Sequence, residues 1–139
     1  MGFPNNRMRR LRSSDGMRRL VRQSRLSVDD LVYPLFACRG EGFKEPIESM
    51  DGCFHLSPDL IAAEAAEVAS LGIPAVLLFG LPTTKDESGS EAWAEDGAVQ
   101  EAVRRIKDAV PDLLVITDVC LCAYTTTGHC GVIKDGRLD

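Results

Sequence analysis

Several features typical of membrane, nucleotide-binding and secreted proteins are missing from this sequence. No apolar run approaches the roughly 20 residues that a membrane-spanning helix needs, so we expect a soluble protein without a membrane partner. No G-x-G-x-x-G follows a predicted strand, which counts against a dinucleotide-binding fold. The five cysteines are odd in number and no secretory signal is present, so a reducing compartment fits better than a disulfide framework.

Aromatic residues are scarce in the basic first part of the chain. Residues 1–25 hold eight arginines and one acidic residue, Asp15. The rest of the chain has a net charge of -12, which gives -5 for the whole sequence. Phe3 is the only aromatic residue there that could stack on a base, which makes nucleic-acid binding a weak interpretation. A transit peptide, an arm that lies on an acidic neighbouring subunit and a solvated tail all stay open at this point.

Helical and strand patterns alternate after the basic segment. Ser57 and Pro58 are typical of a helix start and Gly72 of a helix stop, while the apolar run 73–79 is typical of a parallel strand covered on both faces. Pro34 argues for an edge or a break in the first strand. The predicted elements are a short helix over 16–23, strands over 31–38, 73–79 and 112–117, helices from Ser57 to Gly72 and from an Asp96 cap to Pro111, and a hairpin turning at 135–136.

This order predicts an α/β fold with a parallel sheet, as in a TIM barrel or an open doubly wound sheet. Long polar loops after the strands, and a candidate site at a strand's carboxyl end, favour the barrel. However, a complete barrel needs eight strand-helix units and about 250 residues, so three strands do not close one.

The richest chemistry lies in residues 118–131 (DVCLCAYTTTGHCG), directly after the last predicted strand. Cys120 and Cys122 are two apart and therefore face the same side of an extended chain. The segment that follows is long enough to fold back and bring Cys130 to the same point. Three thiolates around zinc would leave its fourth position for water or substrate.

Other interpretations of these thiols stay open from spacing alone. They could form a buried or redox-active cluster, or a disulfide, and His129 could be a further ligand or a proton carrier. Cys38 and Cys53 are isolated, and we expect them to be ordinary core or surface thiols. Lys85, in the polar loop 80–94, is expected to be solvated rather than to form a Schiff base, because nothing apolar surrounds it.

Five segments together resemble the amino-terminal portion of porphobilinogen synthase, also called 5-aminolevulinate dehydratase. The resemblance runs from about Arg7 to the last residue and is most specific in the cysteine segment. The segments are RRLR at 9–12, DDLVYPLF at 29–36, GIPAVLLFG at 72–80, KDESGSEA at 85–92 and TDVCLCAYTTTGHCG at 117–131.

The resemblance implies a fold, an activity and a set of site residues. Members of the family are cytoplasmic (β/α)8 barrels whose amino-terminal arm wraps a neighbouring subunit, usually in an octamer. They are lyases that condense two molecules of 5-aminolevulinate to porphobilinogen, with loss of two waters, in haem and other tetrapyrrole biosynthesis. The zinc-dependent branch implies that Cys120, Cys122 and Cys130 bind zinc, that Asp118 is an active-site aspartate, and that His129 helps to hold a second zinc in some members. Magnesium is expected only at a site outside these residues.

The same resemblance limits what 139 residues can do. The family's two Schiff-base lysines lie on later strands, and none of the four lysines here matches them. We therefore expect a basic arm over 1–26 and a partial barrel over 27–139, truncated after the third strand and the cysteine segment and inactive alone. The alternative is a stand-alone zinc-binding or interaction module derived from the enzyme.

Overall fold

A mostly parallel five-stranded sheet with the order β2-β3-β1-β4-β5 forms the centre of the fold. The computed structural model describes residues 9–134 and 136–138, so the start of the predicted arm and Asp135 of the predicted hairpin lie outside the described residues. The strands are β1 (Val32–Cys38), β2 (Lys44–Pro46), β3 (Phe54–Leu56), β4 (Ala75–Leu81), β5 (Leu114–Thr117), β6 (Ile133–Lys134) and β7 (Arg137–Leu138). The helices are α1 (Asp15–Leu20), α2 (Pro58–Ser70) and α3 (Ala98–Ala109).

Helix α2 follows the predicted pattern closely. Ile61, Ala65 and Val68 recur on one face and are buried against the sheet and α3. Proline occupies the first helical position, where its missing N–H has no partner to lose. Gly72 then takes a φ of 82°, which residues with a Cβ rarely adopt, and ends the helix.

Helix α1 is shorter than predicted. It ends at Leu20, and the Ser14 side chain caps it by accepting a hydrogen bond from the backbone N–H of Met17 at 3.2 Å. None of its residues is buried. The two strands of the predicted hairpin are present as the antiparallel pair β6 and β7.

The central strands confirm the parallel α/β prediction. All seven residues of β1 pair with β4, and β4 pairs in parallel with all four residues of β5. The sequence predicted an edge or a break at Pro34, and the break is absent, since β1 runs through that position. Within the described residues, β3 pairs with β1 only at Phe36 and Ala37, so Pro34 lies where β1 has a strand on one side only.

Two predictions at the end of this unit are wrong. Gly97, not Asp96, is the N-cap of α3, because the Asp96 carboxylate instead accepts two hydrogen bonds from Arg39, at 2.9 and 3.1 Å. Strand β5 is largely exposed rather than buried: Leu114 keeps 57% of its accessible surface. It is the last strand of the sheet, and no other described strand covers its free side.

The apolar core lies between the sheet and the pair α2 and α3. Its largest fully buried apolar side chains are Ile61, Leu78, Ile106 and Val76. None of the helices formed by residues 9–134 and 136–138 has the length and apolar character that crossing a bilayer requires.

Candidate metal centre

The sheet register places the candidate site at the carboxyl ends of β4 and β5. The Asp118 N–H donates to the carbonyl of Leu78 at 3.1 Å and so continues the parallel ladder one residue past β5. The chain then leaves the sheet and enters the thiol loop, which we define as residues 118–131. The thiol loop therefore begins at the carboxyl end of a parallel strand, where the sequence predicted it.

The thiol loop brings three sulfur atoms together. Cys130 Sγ lies 3.2 Å from Cys120 Sγ and 3.1 Å from Cys122 Sγ, and all three sulfurs lie within 4.8 Å of one another. Cys120 and Cys122 are partly buried, whereas Cys130 is exposed. The convergence predicted from the spacing is present, and the cluster is open to solvent on the side of Cys130.

Cys130 Sγ lies within hydrogen-bonding distance of both other sulfurs, and either sulfur of each pair can be the donor. Hydrogen bonds with the Cys122 and Cys120 side chains, and from the backbone N–H groups of Leu121 and Cys122, lower the pKa of Cys130 to about 7. The bonds with Cys130 and Cys120, with burial adding to them, raise the pKa of Cys122 to about 11. The hydrogen bonds therefore favour the thiolate form at Cys130 and the thiol form at Cys122.

The donor set fits a soft metal ion. Zn–S bonds of about 2.3 Å in a tetrahedral site place the sulfurs about 3.8 Å apart, so Cys130 Sγ needs to separate from the other two sulfurs by only several tenths of an ångström. Thiolates are the ligands that favour zinc and other soft ions over magnesium or calcium. Within the described residues, no other group of three or more cysteine, histidine or acidic side chains meets in this way.

The loop between β4 and α3, residues 82–97, lies beside the thiol loop. The N–H of Asp86 donates to the carbonyl of Tyr124 at 3.3 Å, and the N–H of Thr126 donates to the carbonyl of Asp86 at 3.0 Å. These two bonds form a parallel bridge between Asp86 and Thr125. One strand's loop therefore supports the next strand's loop through main-chain bonds.

Charged groups fasten the β4–α3 loop to the sheet. Glu91 accepts hydrogen bonds from the backbone N–H groups of Thr83 and Thr84, at 3.0 and 2.9 Å, and lies 3.4 Å from the Nε of Arg39. The bond from Thr83, together with those from Thr84 and the charge of Arg39, lowers the pKa of Glu91. This carboxylate remains ionised at neutral pH and connects the start of the loop to Arg39.

A cavity of about 640 Å³ opens between α3 and the start of the thiol loop. Its walls are mainly apolar, and Asp118, Cys120 and Tyr124 line it together with Trp93. Burial, followed by the charges of Asp118 and Glu91, raises the pKa of Tyr124, so its phenol is protonated at neutral pH. A carboxylate, a phenol and one sulfur of the triad thus share one cavity wall.

The other residues singled out in the sequence lie apart from the sulfur cluster. The side chain of His129 is exposed and is not among the ligand atoms that meet there. Cys38 and Cys53 are partly buried free thiols outside the cluster, and Lys85 is exposed, as predicted. The sequence analysis did not identify three residues that join the two loops, namely Asp86, Tyr124 and Thr125. Periodicity could not reveal them, because each contacts a residue on the other loop.

Comparison with known proteins identifies the family. The family model for delta-aminolevulinic acid dehydratase matches residues 5–139. The chain belongs to this family. The resemblance predicted from the five segments is confirmed.

Individual members are similar over nearly the whole chain. The delta-aminolevulinic acid dehydratase of Synechocystis sp. is 52% identical over 136 residues, covering 98% of this chain and 42% of the relative. That of Halalkalibacterium halodurans is 49% identical over 132 residues, covering 95% of this chain and 40% of the relative. The chain therefore spans about two-fifths of the length of these relatives.

The fold also matches a solved member of the family. The crystal structure of delta-aminolevulinic acid dehydratase (porphobilinogen synthase) from Toxoplasma gondii, in complex with the reaction product porphobilinogen, superposes with a TM-score of 0.88 at 34% identity. The match covers 96% of this chain and 39% of that one.

Proposed function

We propose that these residues are the amino-terminal part of a zinc-dependent porphobilinogen synthase, which condenses two molecules of 5-aminolevulinate to porphobilinogen with loss of two waters. The family and the similarity to the product-bound Toxoplasma enzyme support the reaction class. In this proposal, residues 27–139 supply the first strand-helix units of a TIM barrel and residues 1–26 supply an arm that contacts another subunit. The charge of the two segments supports such an arm, because a basic segment of eight arginines accompanies a body of net charge -12.

The convergence of Cys120, Cys122 and Cys130 is the observation that carries the metal assignment. These three thiols would hold zinc and leave it a position for a substrate group, where a Lewis acid polarises a carbonyl or lowers the pKa of a bound amine or water. Cys130 is the exposed member of the three, so an incoming ion can reach the cluster from its side.

Asp118 is the proposed catalytic residue within this chain. It follows β5 directly, and it lines the same cavity as Cys120 and the protonated phenol of Tyr124. A carboxylate in that position can accept a proton from a substrate carbon or nitrogen and orient an amino group. His129 lies next to Cys130 in the chain, and we propose it as the ligand of a second zinc rather than of the first.

The proposal assigns no Schiff-base lysine to this chain. Its lysines are Lys44, Lys85, Lys107 and Lys134, and the resemblance places the two covalent attachment points on later strands. We therefore expect the purified 139-residue chain to form no porphobilinogen from 5-aminolevulinate. Product formed by the purified chain, and absent when 5-aminolevulinate is omitted, would contradict this expectation.

The metal assignment is tested by removing one thiol. We expect Cys122→Ala to abolish stoichiometric zinc uptake, because two sulfurs cannot replace a three-thiolate site. Cys53→Ala is the matched control, since Cys53 is also partly buried but lies outside the cluster. Zinc is measured by atomic emission after dialysis under reducing conditions. Undiminished zinc in Cys122→Ala would exclude this metal centre.

A stand-alone zinc-binding module is the second candidate, and one observation favours it. All three thiols come from eleven consecutive residues, so the ligand set is complete within this chain. A monomer that unfolds cooperatively and retains one zinc ion would support the module. Self-association through exposed β5, with zinc bound, would support the partial barrel.

A further inference from the structure

We propose that Thr125 is a positioning residue. It holds the segment that carries Cys120 and Cys122 next to the segment that carries Cys130 before a metal ion binds. The inference rests on the metal centre proposed above and adds a residue that touches neither the ion nor the substrate. It is carried by the burial of Thr125 and by its hydrogen bonds to both halves of the loop.

Thr125 is buried, whereas the five residues that follow it are exposed. It keeps 1% of its accessible surface, and it is one of two buried polar residues in the described part of the chain. Residues 126–130 are all exposed. A buried hydroxyl requires a hydrogen-bond partner, and the choice of that partner determines how the loop folds.

The hydrogen bonds of Thr125 reach both sides of the sulfur cluster. Its backbone N–H donates to the carbonyl of Leu121 at 3.0 Å, and Leu121 lies between Cys120 and Cys122. Its hydroxyl donates to the carbonyl of His129 at 2.9 Å, and His129 directly precedes Cys130. One residue therefore connects the segment with two sulfurs to the segment with the third.

The neighbouring loop fixes Thr125 from outside. The bridge to Asp86 holds the backbone on both sides of Thr125, through Tyr124 and Thr126. Asp86 is itself fixed, because its carboxylate accepts bonds from the backbone N–H and the hydroxyl of both Ser88 and Ser90. Through these bonds, the β4–α3 loop fixes Thr125, and Thr125 in turn fixes the backbone next to Cys130.

The hydroxyl and the shape of Thr125 can be separated by substitution. Thr125→Val keeps the branched shape but cannot donate to the His129 carbonyl, which then keeps only its bond from the Gly131 N–H at 3.0 Å. Thr125→Ser keeps the donor and removes one methyl group. Residues that hydrogen-bond to a metal ligand usually contribute about 10- to 100-fold to metal affinity. Thr125 bonds the residue before a ligand, so we expect Thr125→Val to lose affinity toward the lower end of this range, about 10-fold.

The test is a titration of the 139-residue chain with Co²⁺ under reducing conditions. The readouts are the thiolate-to-cobalt charge-transfer absorption and the dissociation constant, and zinc competition then gives the affinity for zinc. Thr127→Val is the matched control, because Thr127 is an exposed threonine of the same loop. Far-UV circular dichroism reports whether each variant keeps its secondary structure.

Weaker binding in Thr125→Val, with wild-type binding in Thr125→Ser and Thr127→Val, would support the inference. Equal binding in all four proteins would overturn the role of Thr125 and leave the metal centre intact. Equal weakening in the serine and valine variants would overturn it too, because the effect would then come from packing. No charge-transfer band in the wild type would overturn the metal centre and, with it, this inference. If Thr125→Val lost its native circular dichroism, the test would rest on Thr125→Ser. Weak metal binding by a folded Thr125→Ser would then overturn the inference, because that variant keeps the hydroxyl.

Discussion

Gly80 leaves room for the ring of Tyr124, and an added methyl group tests that arrangement. A Cβ at position 80 would lie 1.8 Å from Tyr124 Oη, 2.7 Å from Val99 Cγ2 and 3.0 Å from Tyr124 Cζ. Ordinary contact begins at 3.4 Å, so the phenol oxygen would have to move by about 1.6 Å. Because Tyr124 belongs to the thiol loop, the clash at the end of β4 acts directly on the candidate site.

The expected cost of Gly80→Ala follows from these contacts. Extra methyl groups in well-packed sites cost about 1–3 kcal/mol, and two contacts below 3.0 Å place this substitution near the upper end, at about 3 kcal/mol. Tyr124→Phe removes the atom in the worst clash. The double variant should therefore recover about 1 kcal/mol relative to the sum of the single changes.

Urea unfolding of the two single variants and the double variant measures this coupling, and Co²⁺ titration measures its effect on the thiols. Gly16→Ala is the control, because Gly16 lies in exposed α1 and its added Cβ would meet nothing closer than 3.9 Å. That substitution should leave stability unchanged or raise it slightly. An unchanged free energy of unfolding in Gly80→Ala, without coupling to Tyr124→Phe, would refute the packing described here.

Two further predictions concern the loop and the core. The folded pKa of Glu91 lies below its ordinary value of 4.5, so its stabilisation is present above that pH and is lost as the pH falls through the lower folded value. Glu91→Gln should therefore reduce the loss of free energy of unfolding that occurs as the pH falls, measured with urea, whereas Glu87→Gln in the same loop should not. The same pH dependence in the wild type and both variants would contradict this. Ile106→Ala should lower the free energy of unfolding by about 2–5 kcal/mol, because Ile106 is fully buried. Ile116→Ala should lower it by about 1 kcal/mol or less, because Ile116 is exposed, and similar losses in both variants would contradict this position of the core.

Local patterns in the sequence were sufficient to predict the elements that depend on local chemistry. The start of α2 follows from Ser57 and Pro58 and its end from Gly72, while β4 follows from one apolar run. The convergence of the thiols was also predictable, because the two-residue spacing of Cys120 and Cys122 and a short return segment are local properties.

Features that depend on distant partners were not predictable in this way. Asp96 has the residue type of a helix cap, but Arg39, 57 residues earlier, binds its carboxylate. The burial of Thr125 depends on a bridge to Asp86 on another loop, and no periodicity marks it. The apolar run of β5 predicted a covered strand, but its burial depends on a neighbour on its free side, which the described residues do not supply.

The main-chain bridge between Asp86 and Thr125 has a consequence for protein engineering. A peptide of residues 118–131 contains every sulfur of the cluster, but it lacks the Asp86 N–H that donates to Tyr124 and the Asp86 carbonyl that accepts from Thr126 in the folded chain. The smallest unit that can be grafted onto another scaffold with its geometry intact is therefore a pair of adjacent loops with their two parallel strands. For the same reason, insertions between Pro82 and Asp86 would shift the cysteines without altering any of them.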